Sequence, residues 1–137
     1  MSWEIRYLER ERTVLVKTSG PQDMAMARQM VNEAADLAAR FGAKRFLKDD
    51  RDSVLQLTPV EIYGFPNLLL EAGIPRDCRI AVIINAGSLQ ASDFQFFKTR
   101  MYNEGMSDVR IFDSSEKQAL EWLMEPPPPK TGLRPPP

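Results

Sequence analysis

The sequence predicts an α/β domain built on a single, mostly parallel five-stranded sheet whose first strand lies antiparallel at one edge. Three observations predict it. Strand-like and helix-like stretches follow one another in the order β-β-α-β-α-β-α-β-α. One strand-like stretch, "CRIAVIIN" (78–85), is apolar almost throughout, as the centre of a sheet covered on both faces requires. Strands joined through a helix within one sheet cross over right-handedly, which makes the last four strands parallel.

Each element has a local reason. "WEIRYL" (3–8) alternates with period two, placing Trp3, Ile5 and Tyr7 on one face, and the charged turn "ERER" joins it to "TVLVKT" (13–18) as a hairpin. Met24, Ala27, Val31, Ala34, Ala38 and Phe41 form a helical stripe, with Asp23 as N-cap and Gly42 as stop. The short strand "KRFLKD" (44–49) follows. Thr58-Pro59-Val60-Glu61 then combines a capping box with proline in the first helical turn. Pro66 removes an amide donor inside that helix and should kink or divide it before "NLLLEAG" ends at Gly73. After 78–85, Ser92 and Gln95 have capping-box spacing ahead of a helix that places Phe94, Phe97 and Met101 on one face and stops near Gly105. "DVRIF" (108–112) is the last strand, and Asp113 with Glu116 is expected to cap a final helix that Pro126 ends. Residues 1–125 thus form one domain. The tail "PPPPKTGLRPPP" (126–137) is expected to be extended and disordered, its Pro-x-x-P pattern permitting recognition by a groove.

Composition narrows the function. A chain of 137 residues with 43% apolar and 27% charged residues has the makings of one cored domain. A net charge of −1, with Lys and Arg scattered, gives no electrostatic footprint for nucleic acid. The chain has no histidine and one cysteine, Cys78, at the start of an apolar strand, so nucleophile–histidine pairs are missing and the thiol reads as a small hydrophobe. No apolar run is long enough to span a membrane and the amino terminus is too charged for a signal peptide, so the expectation is a cytoplasmic protein without an integral membrane segment. No cofactor, metal or catalytic residue is expected.

"KRFLKD", "RIAVIIN" and above all the ending "DVRIFDSSEKQALEWL" resemble the SpoIIAA-like family, related in fold to STAS domains, among which are bacterial anti-sigma factor antagonists. The resemblance spans roughly residues 3 to 124. It implies a noncatalytic regulatory module that binds a protein partner, a regulator or a kinase-like protein. In STAS antagonists the helix after the third strand opens with Asp, then a phosphorylated Ser or Thr, then Gly. Thr58 in "QLTPV" stands nearest to that hydroxyl but lacks both neighbours, while Ser53 in "RDSV" has the Asp-Ser pair ahead of the helix start. The competing class is a small-molecule or lipid-binding carrier of CRAL-TRIO-like type holding a small apolar ligand.

In open parallel sheets, ligands gather at the carboxyl ends of the strands. Those ends bring forward Ser19, Asp49, Asp50, Asn85, Ser88 and Asp113 as a polar binding edge. Asp49, Asp50 and Asp52 offer oxygen ligands for a hard cation, but neighbours on a strand face opposite ways and Arg51 offsets their charge, so "KDDRDSVLQLTP" (48–59) reads as a strand end, a solvated acidic turn and a capped helix start. "NAGS" (85–88) has neither the GxGxxG pattern nor the lysine of a phosphate-binding loop. "DFQFFKTRMY" carries more aromatic surface than one helix face buries: Phe96 points away from Phe94, Phe97 and Met101, either to dock a partner or cover a cavity, or to be buried by a neighbouring helix.

Overall fold

A computed structural model describes residues 2–85, 87, 90–106 and 108–126. The elements are β1 (Ser2–Leu8), β2 (Thr13–Gln22), α1 (Met24–Phe41), β3 (Arg45–Leu55), α2 (Pro59–Tyr63), α3 (Phe65–Glu71), β4 (Arg79–Ile84), α4 (Ala91–Asn103), β5 (Val109–Asp113) and α5 (Glu116–Met124). The five strands lie side by side in chain order, β1 antiparallel to β2 and every later pair parallel, as the sequence predicts.

Because each crossover advances one strand in the same direction with the same hand, α1, α3 and α4 collect on one face of the sheet. Val14, Val16, Phe46, Ile80, Val82, Ile84 and Val109 point into this helical layer. The opposite face meets α5 alone: Leu15, Leu47, Ala81, Ile83 and Phe112 pack with Ala119 and Leu123. All six residues of β4 are buried, so its apolar run serves both cores at once.

The helix ends follow local chemistry, not always at the expected residue. Asp23 caps α1 by accepting from the Met26 amide, and Gly42 ends it in the left-handed conformation at φ 64°. Thr58 and Glu61 close a reciprocal capping box on α2. Pro66 divides the helix as expected, and Gly64 is the joint between α2 and α3. Two expected caps are corrected. Helix α4 starts at Ala91, ahead of Ser92, with Gln90 as an N-cap that makes no side-chain capping bond. Asp113 belongs to β5; Ser114 turns the chain at φ 57°, and Ser115 caps α5 by accepting from the Gln118 amide. Residues 127–137, most of the expected tail, lie outside the described residues.

Three further contacts fix the periphery. The rings of Tyr7 and Phe41 stack 4.1 Å apart, and Trp3 Nε1 donates to Glu33 Oε2, pinning edge strand β1 to α1. Buried Arg79, at the start of β4, donates from Nη1 to the Trp122 and Glu125 carbonyls at 2.9 and 2.8 Å and lies 4.9 Å from the Trp122 ring. It thereby adds a charged donor to the Trp122 carbonyl, which also accepts from the Glu125 amide, and gives one to the Glu125 carbonyl at the carboxyl end of α5.

Candidate functional site

The acidic segment after "KRFL" is strand, not a solvated turn. β2 and β3 run on together to Gln22 and Leu55, past a register shift between Lys17 and Ser19 where the step from Asp49 to Asp52 on β3 opposes a shorter step on β2. β3 pairs with β4 only as far as Asp49, so beyond that point its second edge is uncovered by strand. The side-chain amide of Gln90 fills the place of the missing strand. It accepts from the Leu55 amide through Oε1 and donates from Nε2 to the Ser53 carbonyl at 3.2 Å. That role occupies the Gln90 side chain and accounts for its not capping α4.

Asp49 and Asp50 are 6% and 5% exposed, which overturns the expectation of solvation. They leave the sheet on opposite faces, as neighbours on a strand do. Asp49, on the α5 side, is held by a two-pronged guanidinium contact: Arg51 Nε to Oδ1 at 2.9 Å and Nη2 to Oδ2 at 2.7 Å. Burial pushes the Asp49 carboxyl up, but the hydrogen bonds and charge of Arg51, helped by Lys17, outweigh it and hold the group below its ordinary value. Arg51 Nη1 donates to the Ser114 carbonyl, Asn85 Nδ2 to the Arg51 carbonyl, and Ser114 Oγ to Asn85 Oδ1 and Asp113 Oδ1. Asp49, Asn85 and Asp113 are therefore brought into one network across β3, β4 and β5.

Ser19 and Asp50 stand apart from that network. Ser19 lies within β2, its hydroxyl 2.7 Å from that of Ser2. Asp50 enters the helical face, where Thr18 Oγ1 donates to Oδ1 at 2.6 Å and Lys48 Nζ lies 2.9 Å from Oδ2. Gln22 Nε2 donates to Thr18 Oγ1 at 3.1 Å, while the buried Gln22 Oε1 has no hydrogen-bond partner among the described residues. Ser53 is buried, its hydroxyl donating to the Asp50 carbonyl. Ser88 lies outside the described residues.

Beside this polar group is a cavity of about 110 Å³ between the sheet and the helical layer, partly open to solvent. Val16 and Val82 form its floor, Ala27 and Ala34 of α1 one wall, Phe94 and Phe97 of α4 another. Lys48 and Asp93 are the charged residues of an otherwise apolar lining. The carrier alternative anticipates a space for an apolar ligand, but its position is not legible in the sequence, because a void depends on how three strands and four helices meet.

Around the helical layer a different surface forms. Thr58 is exposed at the start of α2. Val60 and Tyr63, one turn apart, are 80% and 58% exposed, and Phe96 on α4 is 37% exposed. Arg100, one turn beyond Phe96, lies 3.8 Å over the Tyr63 ring and donates from Nε to the Tyr63 carbonyl, which joins the two helices into one patch.

Among the described residues no group of three or more histidine, cysteine, aspartate or glutamate side chains is placed to hold a metal ion. Burial, with Asp77 nearby, pushes the Cys78 thiol up to about 12, leaving it a neutral packing group at ordinary pH. Among them, too, no helix is long and apolar enough to cross a membrane.

Comparison with known proteins places the fold. The chain is similar to the solved structure of the anti-sigma factor antagonist SpoIIAA in its unphosphorylated form, with a TM-score of 0.54 and 14% identity over 89% of this chain and 97% of that one. No family model and no curated protein matches the sequence. The protein has the SpoIIAA fold, the STAS-like arrangement that its strand and helix order resembles.

Proposed function

We propose that this protein is a noncatalytic, cytoplasmic regulatory module that binds a protein partner, a regulator or a kinase-like protein, through the start of α2 and the adjoining side of α4. The observation that carries the reading is the exposed patch of Val60, Tyr63 and Phe96 beside Thr58. Large apolar and aromatic side chains left in water on neighbouring helices supply the anchors that protein interfaces use. The shared fold with an anti-sigma factor antagonist supports the same class of role. Ser19, Asn85 and Asp113 would supply polar contacts along the sheet edge, with buried Asp49 and Asp50 holding that edge in shape.

Thr58 is the hydroxyl best placed for a switch. A phosphoryl group there would add a charge of about −1.5 to −2 beside the Glu61 carboxylate of the capping box and two residues from Val60, opposing the capping box and changing the patch at once. Ser53 would have to leave its buried bond to Asp50 before it could be modified.

A photo-crosslinking residue placed in turn at 60, 63 and 96, in the protein's own cells, tests this reading. The expected result is one shared crosslinked protein from all three positions, absent from Lys117 and Gln118 on α5, and weakened by Thr58→Asp but not by Thr58→Ser. Equal crosslinking from α5 would remove the patch from consideration. Aspartate is itself a good N-cap, so loss of crosslinking in Thr58→Asp would report charge and not helix fraying.

A second reading, a small-molecule carrier, is favoured by the cavity. Its volume of about 110 Å³ suits a compact molecule better than an acyl chain, since pockets for drug-sized ligands span about 300–1,000 Å³.

A further inference from the structure

We propose that the cavity takes a compact, uncharged apolar molecule of about one ring carrying a single hydrogen-bond acceptor, and that the Lys48 ammonium donates to that acceptor; this deepens the carrier reading and rests on it. Size comes first. A cavity of about 150 Å³ lined by aliphatic and aromatic side chains stays dry and admits benzene, and this one, at about 110 Å³ and partly open, is of the same order. Its apolar lining selects a hydrophobic body.

The charges select the polar end. Lys48 Nζ reaches the fully buried Asp50 carboxylate at 2.9 Å, so its charge is already balanced on one side. An ammonium has three hydrogens, and this side chain is 27% exposed, so hydrogens not directed at Asp50 remain for water or a guest. The other charged lining residue is Asp93, a second anion. A guest carboxylate would be a third anion for one ammonium in a mostly apolar site. An uncharged carbonyl takes an ammonium hydrogen without that imbalance. A pure hydrocarbon would displace water from Lys48 and give nothing back.

Titrations of the full chain carrying ¹³C-labelled methionine methyl groups read this directly, because Met30 lines the cavity. The probes are acetophenone, ethylbenzene and benzoate, one body with three polar ends. The expected result is a saturable shift of the Met30 methyl with acetophenone, binding about tenfold tighter than ethylbenzene and more than tenfold tighter than benzoate, as one hydrogen bond to a charged donor implies. In the double variant Lys48→Leu with Asp50→Asn, which removes the ammonium and its buried carboxylate partner together, both neutral probes should bind equally. Ala34→Phe should block both. If benzoate binds best, or ethylbenzene equals acetophenone in the unaltered protein, the assignment to Lys48 is wrong while the carrier reading stands. If none of the three moves the Met30 methyl, both fall. These comparisons within the unaltered protein decide the matter even if a variant does not fold.

Discussion

The two faces of the sheet are covered in opposite ways. One carries helices drawn from three crossovers, the other the single helix α5, yet the void lies under the many and not under the one. Beneath α5, Leu47, Ala81, Ile83, Ala119 and Leu123 are wholly buried. Ala81 and Ala119 are small enough to let helix and sheet approach closely, and one helix has only one surface to fit. On the other face, α1, α3 and α4 must each satisfy the sheet and one another, with bulky Met, Phe and Val side chains between them. Close packing is harder to reach where several independently tethered segments converge. Coverage and tightness are separate properties, and the looser face is where the candidate ligand space and the exposed patch both lie.

Each face is tied by one buried arginine, and these give the largest expected effects. Arg79 satisfies two carbonyls at the end of α5; Arg100 satisfies one carbonyl of α2 and pairs with the partly exposed Glu104. Arg79→Met should lower stability by about 3 kcal/mol, since hydrogen bonds to charged groups each contribute about 1.5–3 kcal/mol and two are lost, the Trp122 carbonyl keeping only the Glu125 amide. Arg100→Met should cost about 1–2 kcal/mol, because water reaches its partners more readily. Denaturant titration of the two variants compares them. Equal losses would mean that α5 is held by its apolar face alone.

Adding volume sharpens the contrast by reversing its sign. Ala119→Leu forces extra carbon into the tight α5 layer and should destabilise by about 1–3 kcal/mol. Ala34→Leu grows into the cavity and should be neutral or stabilise by up to about 1 kcal/mol, as cavity-filling changes do. Paired thermal melts give the answer, with a shift of about 4 °C for each kcal/mol in a domain of this size. If both variants lose stability alike, the void under α1 and α4 closes in solution.

How far the sequence reveals this molecule depends on whether the cause is local. The apolar run of β4, the Asp23 and Thr58 caps and the break at Pro66 depend on residues within a turn of one another, and all are legible. The true ends of β2 and β3 are not. "DDRDSV" reads as a turn because it is charged, but Lys48, Arg51 and Thr18 neutralise or satisfy its carboxylates, and Gln90, some forty positions on in the chain, supplies the edge partner. The same displacement moves the candidate site. Asn85 and Asp113 stand at strand ends as expected, whereas Asp49 and Asp50 fall in mid-strand and turn inward. The cap of α5 lies at Ser115, two residues past the Asp113 that spacing indicates, because Ser114 adopts a left-handed turn that nothing in "FDSSE" demands.

The two adjacent aspartates carry the same contrast into pH. Asp49 lies on the α5 side with its carboxyl held below the ordinary value by Arg51 and Lys17 against the opposing effect of burial. A carboxyl with a depressed folded value binds its proton more readily in the unfolded chain, so folding gains stability wherever the group is ionised. That contribution is complete above the ordinary value of 3.8 and disappears as pH falls through the lower folded value. Asp49→Asn keeps the shape and removes the charge. The stability difference between the unaltered protein and this variant should therefore be constant from neutral pH down to about pH 5 and shrink steadily below about pH 4. Urea titrations at a series of pH values measure that difference directly. A difference that stays flat into the acid range would mean that Arg51 orients Asp49 without favouring its ionised form, and that the α5 face, tight in its apolar packing, owes nothing to charge at its polar margin.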